Sequence, residues 1–97
     1  MYEDLDYLVD KSSWTEEDEK IVHRLNKKER SYLALRIKEY DGILIDLSFD
    51  NEDEVRLNIA KNPATPFNIL KRLSEKDSNK DVRLRAAKTI EEQYIND

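Results

Sequence analysis

Apolar residues recur along this chain at three- and four-residue spacing, the period of helices that bury one face. The pattern predicts a run of short helices. Residues 2–10 form the first, with Leu5, Leu8 and Val9 on its apolar side. Lys11-Ser12-Ser13 breaks it. A second helix is expected over about 14–25, with Trp14, Ile21, Val22 and Leu25 inward, and with Lys27 and Lys28 at its C-terminal end. Ser12 or Ser13 would cap it, and Glu16 and Glu17 suit the positive end of its dipole. Over roughly 29–40, Tyr32, Leu33, Leu35, Ile37 and Tyr40 give a third helix a wide apolar face. Asp41-Gly42 should interrupt it, with Gly42 left-handed or flexible. Ile43–Phe49 alternates in a way that fits strand or helix. A helix over about 51–61 follows Asp50 as N-cap, with Glu52, Asp53 and Glu54 in its first turn, and Pro63 stops it. Thr65 as N-cap and Pro66 at the first helical position restart a helix that runs to about Glu75. The last begins near Asp77 or Ser78 and reaches about Tyr94.

These pieces repeat. Asp50-Asn-Glu-Asp-Glu-Val55-Arg56-Leu57-Asn-Ile59-Ala60-Lys61 aligns without a gap on Asp77-Ser-Asn-Lys-Asp-Val82-Arg83-Leu84-Arg-Ala86-Ala87-Lys88, 27 residues on. Arg30-Ser-Tyr-Leu33-Ala34 aligns on Arg56–Ala60 at an offset of 26. In step with these, Ile21–Asn26, Ile43–Ser48 and Ile69–Ser74 share I-[LV]-x-x-L-[NS]. The unit is a short helix, an acidic turn and a second helix, and the chain holds about three. One such unit leaves its apolar face bare, and stacked neighbours cover it, so the pattern predicts an all-α helical solenoid. A single domain spans 1–97, with an irregular cap over 1–28, repeats over 29–90 and a tail over 91–97.

The segment Asp50–Leu73 contains V-R-x-x-I-A followed by N-P-x-T-P. In this combination it resembles the leucine-rich repeat variant family. The copy at Asp77 keeps Val82, Arg83 and Ala87, and the copy at Arg30 keeps Arg30, Ala34 and Leu47 but lacks the Asn-Pro-x-Thr-Pro segment. The resemblance implies a right-handed solenoid related in shape to HEAT repeats, whose usual role is interaction with other macromolecules. Some larger members carry a cysteine cluster that binds Fe–S, and this chain has no Cys.

Composition narrows the chemistry. Charged residues make up 40% of the chain, yet both signs are mixed and the apolar period persists, which argues for folded helices rather than disorder. Without Cys and with a single His, the chain lacks thiolate and multi-histidine metal sites, and no cofactor is expected. No oriented partner accompanies His23 at catalytic spacing, and no glycine-rich phosphate loop exists, so an enzyme is not expected. No apolar run approaches a membrane span, and the acidic N-terminus lacks the basic start of a signal peptide, so a cytoplasmic location is expected. Trp14-Thr-Glu-Glu-Asp resembles the start of a Myb-type repeat, but the further tryptophans of that family are missing, and helix capping accounts for it.

What remains is surface. The net charge of −5 divides into −7 over 1–60 and +2 over 61–97. Candidate partner-contact residues are the basic Lys61, Lys71, Arg72, Lys76, Lys80, Arg85 and Lys88 and the acidic Glu16, Glu17 and Asp18. Arg30, Arg56 and Arg83 occupy equivalent places, with Asp50 and Asp77 six residues ahead of the second and third. They read as a structural ladder, or alternatively as a row of anion-binding groups. The expected function is a small non-enzymatic module that docks a protein partner, as an adaptor or an inhibitor. Abundant Lys, Asn, Ile, Glu and Asp fit an AT-rich genome such as that of a phage or a low-GC bacterium. The alternative is a nucleic-acid binder using the basic segment, and self-association through the bare ends of the stack is a third outcome.

Overall fold

The computed structural model describes residues 3–11, 13–38 and 41–95, and every regular element among them is helical. The order is α1 (Glu3–Val9), α2 (Glu16–Arg24), α3 (Lys27–Arg36), α4 (Asp41–Leu47), α5 (Asp53–Lys61), α6 (Phe67–Lys76) and α7 (Lys80–Ile90). The last passes into a π-helical segment, Glu91–Ile95. Tyr2, Ser12 and Tyr40, and the last two residues of the tail, lie outside the described residues.

Helix number and order follow the apolar pattern, while several ends move. Thr15, not Ser12 or Ser13, caps α2: its hydroxyl accepts from the Asp18 amide, and the Asp18 carboxylate accepts from the Thr15 amide. Asn26 and Glu29 form a second capping box, so α3 starts at Lys27. Lys27 and Lys28 therefore open α3 rather than close α2. Gly42 lies inside α4, and no described residue has positive φ. The ambiguous Ile43–Phe49 is helical as far as Leu47, because Ile43, Leu44 and Leu47 all reach the core. Asp50 does not cap α5, which starts at Asp53, and Thr65 does not cap α6. Its hydroxyl donates instead to the Ile59 carbonyl at 2.7 Å. Asn79 rather than Asp77 or Ser78 caps α7, accepting from the amides of Asp81 and Val82.

Packing follows the repeat. α3 lies against α5 and α5 against α7, while α4 packs on α5, α6 on α7 and α1 on α3. The helices carrying R-x-x-[LIA]-A thus form one row. Ile43, Leu44 and Leu47 of α4 and Ile69, Leu70 and Leu73 of α6 insert beneath it, meeting Leu33, Val55, Ile59 and Val82 in one core. Polar side chains tie neighbouring units together across 25 to 29 residues of sequence, about one repeat length. Asn58 Nδ2 donates to the Ser31 carbonyl (2.8 Å) and Thr89 Oγ1 to the Ala60 carbonyl (2.6 Å). Asn62 Nδ2 donates to both Ala34 (2.9 Å) and Ile37 (2.7 Å), closing the end of α3, where carbonyls lack helical partners. The radius of gyration, 12.9 Å, is about that of any globular domain this long, so three units are too few to elongate the molecule.

Candidate functional site

The arginine row is an interlock between units. Arg30 donates from Nε (2.7 Å) and Nη2 (3.2 Å) to the two oxygens of Asp50, and from Nη1 to the Leu25 carbonyl. Arg56 repeats this one unit on: Nε (2.9 Å) and Nη2 (3.3 Å) meet Asp77, and Nη1 meets the Asp50 carbonyl at 2.7 Å. Asp53 adds a further carboxylate to Arg56 at 2.7 Å. Each aspartate also accepts the amide two residues on, from Glu52 and from Asn79, which folds the turn around the ion pair. Planar guanidinium and carboxylate meet along two parallel bonds, a geometry lysine cannot reproduce. Hydrogen bonding to Asp50 and Asp77 raises Arg30 and Arg56 above their ordinary pKa against the opposing effect of burial. These arginines are occupied, and their Asp-turns are structural.

Two clefts open beside the turn that follows α4. One is about 350 Å³, and its walls include Val22, His23, Asp46 and Phe49. The other, about 460 Å³, is bounded by Ser48, Phe49, Arg72, Lys76 and Asp77. Phe49 stands between them with 64% of its surface exposed. It is held from one side: the Arg72 guanidinium lies 3.9 Å from the ring centroid and also donates to the Ser48 hydroxyl. Burial pulls the Arg72 pKa below its usual value, partly offset by Asp77. Across the first cleft, His23 Nε2 is 4.0 Å from Asp46 Oδ2. The result is a fixed aromatic ridge with a cationic wall on one side and a His–Asp wall on the other.

Of the basic residues singled out as candidate partner contacts, only Arg72 and Lys76 line a cleft, while the interlock arginines Arg30 and Arg56 each border one. Lys71 pairs with Glu75 (3.0 Å) and Arg85 with Glu92 (3.8 Å). Lys61, Lys80 and Lys88 are exposed on α5 and α7, outside both clefts. Among the acids, Glu16 pairs with Lys20 and Glu17 with Arg24 on the surface of α2. Asp18 is buried in the α2 cap and bonded to Lys11 at 3.2 Å. The Thr15 backbone amide, helped by Lys11, holds its carboxyl below the usual range against desolvation. A depressed acid adds stability above its unfolded pKa and loses it as pH falls through the folded value. Asp18→Asn is therefore expected to lower the melting temperature at neutral pH, with the gap to the parent closing as the pH falls through the folded pKa of Asp18.

Phe49 was not marked by charge or motif, and Asp46 and Ser48 were noted only as positions of the Ile43–Ser48 repeat. The signal was available in the repeat itself. Leu47-Ser48-Phe49 aligns with Leu73-Ser74-Glu75, and a position that holds glutamate in one unit faces water in the other. No family model matches this chain, and neither a curated protein nor a solved structure does. No described helix is long and apolar enough to cross a membrane.

Proposed function

We propose that this protein is a small, non-enzymatic helical-repeat module that docks a protein partner in the cytoplasm, with Phe49 as the anchor of the contact. In this reading its units are successive turns of a short right-handed solenoid of the leucine-rich repeat variant type. The recurrence of the Arg–Asp interlock after 20 and 21 residues, and of the Asn58, Asn62 and Thr89 bonds across 27 to 29 residues, supports that architecture. The observation that carries the function is Phe49 itself, a large apolar side chain left in water yet fixed by a guanidinium between two clefts. Interface energy concentrates in such pre-ordered aromatic and arginine groups, because little side-chain freedom is lost when they bind. Nucleic acid is the weaker alternative, since the basic groups are scattered and several are already paired within the chain.

Affinity capture from cells that produce the protein tests this. Phe49→Ala should keep the helical circular dichroism and melting temperature and reduce the captured partner by about tenfold or more, the scale of an aromatic hot spot. Undiminished capture by Phe49→Ala would refute the assignment.

A further inference from the structure

Where the row of helices ends, the interlock is left open. On α5, Arg56 bonds to Asp77 ahead of α7 and the Ala60 carbonyl accepts from Thr89 of α7; Arg56 and Ala60 are buried and Leu57 beside them is half-buried. Their counterparts on α7 are Arg83, Leu84 and Ala87. Leu84 is 59% exposed, and Ala87 is exposed where Ala60 is fully buried. Arg83 keeps the bond to its own turn, from Nη1 to the Asp77 carbonyl at 2.7 Å. Among the described residues, no carboxylate meets the edge that Arg30 and Arg56 give to the next aspartate. The opposite end of the row differs, because α1 covers α3 and buries Leu5 and Leu8 there. Copies therefore cannot add end to end.

The α7 face is self-complementary when it meets itself reversed. Arg83 stands four residues before Ala87, and Glu91, exposed, stands four after it. Leu84 stands three before and the half-buried Ile90 three after. We propose that a second copy of this chain covers the face, with the two α7 helices antiparallel and crossing at Ala87 about a two-fold axis. The small alanine lets the helices approach at the crossing. Arg83 then meets Glu91 of the partner subunit, twice over by symmetry, and Leu84 meets Ile90 of the partner subunit. A closed two-fold pair of this kind is the commonest form of self-association.

The proposal rests on the stacking reading above but leaves Phe49 uncovered, so the two stand or fall on different variants. An 11-residue helix makes a contact at the small end of stable interfaces, so the dimer dissociates on dilution. Light scattering or sedimentation at low salt, from about 1 µM to about 1 mM, should show the mass rise from 11.5 kDa toward twice that value. Arg83→Glu and Glu91→Arg should each raise the dissociation constant about tenfold or more, and the two combined in one chain should restore it. Among the described residues, the Glu91 side chain makes no bond that its replacement would break, and its backbone amide keeps its bonds to the Ala87 and Lys88 carbonyls, so its variant separates dimer loss from misfolding. A mass of 11.5 kDa throughout overturns the proposal. A dimer indifferent to the single reversals, or one not restored by the double, overturns the α7 assignment equally.

Discussion

Replacing Arg56 with alanine is expected to lower unfolding free energy by about 3–5 kcal/mol, the usual result of stripping one partner from a buried ion pair. The magnitude follows from what Arg56 leaves behind. The Asp77 side chain, 5% exposed, loses both guanidinium bonds, and the Asp50 carbonyl loses its donor. The turns before α5 and α7 loosen together, because one side chain fastens both. In a domain of this size, each kcal/mol moves the midpoint by about 4–8 °C, so the melting temperature should fall by at least about 12 °C. Arg56→Lys should recover only part of the loss, since an ammonium cannot serve two carboxylates and a carbonyl in one plane. Arg83→Ala provides the contrast. With one carbonyl bond and no aspartate, it should cost about 1 kcal/mol or less. Urea denaturation of the three variants checks the order. Equal losses at Arg56 and Arg83 would mean that the interlock carries no stability.

Asn62→Asp is expected to be nearly as damaging, and to be so in a pH-dependent way. Asn62 is buried, gives both amide hydrogens to the carbonyls of Ala34 and Ile37, and takes the Ala64 amide at 2.8 Å. An alanine there leaves those three backbone groups without this partner, at about 1–3 kcal/mol for each group that water cannot reach. An aspartate is worse at neutral pH, because its charge would face two carbonyl oxygens and favour the protonated form. A carboxyl whose folded pKa is raised stabilises the fold only while protonated, so the penalty relative to the parent should grow as the pH rises above about 4. Melting curves of parent, Asn62→Ala and Asn62→Asp at pH 4 and pH 7 distinguish this from a simple packing loss. A penalty for Asn62→Asp that is the same at both pH values would contradict the bonding described.

What the sequence made legible was the part governed by period. The I-[LV]-x-x-L motif located α4 and α6, and the V-R-x-x-[IA]-A motif located α5 and α7, because burial of those residues depends only on spacing. The pause at Asn62-Pro63 was equally plain, since proline acts on its neighbour alone. Helix starts were harder. Ser, Thr, Asn and Asp all serve as caps, and choosing among neighbours depends on what else claims each side chain. Asp50 fails to cap α5 because Arg30, twenty residues earlier, and the Glu52 amide already hold its carboxylate. Thr15 wins over Ser13 because Asp18 lies three residues on and completes the capping box. Gly42 is helical because Ile43 and Leu44 must reach the core, which outweighs the conformational freedom of glycine.

The candidate site was least legible. Charge pointed to the basic C-terminal segment and the acidic start of α2, but ion pairs within the chain absorb several of those groups, and the α2 cap takes Asp18. An aromatic residue reads as core until the fold places it, and Phe49 lies past the last buried residue of α4, where the chain turns outward. Only its alignment with Glu75 marks it as solvent-facing.

The central claim is that this turn, rather than the charged flanks, is the working surface. Site-specific photocrosslinking tests it most directly. A benzophenone side chain in place of Phe49, irradiated in cells, should join the protein to a single macromolecular partner. The same group in place of Lys61 or Lys71 should not. Adducts from Lys61 or Lys71 with none from position 49 would contradict the account and move the binding surface to the basic flank.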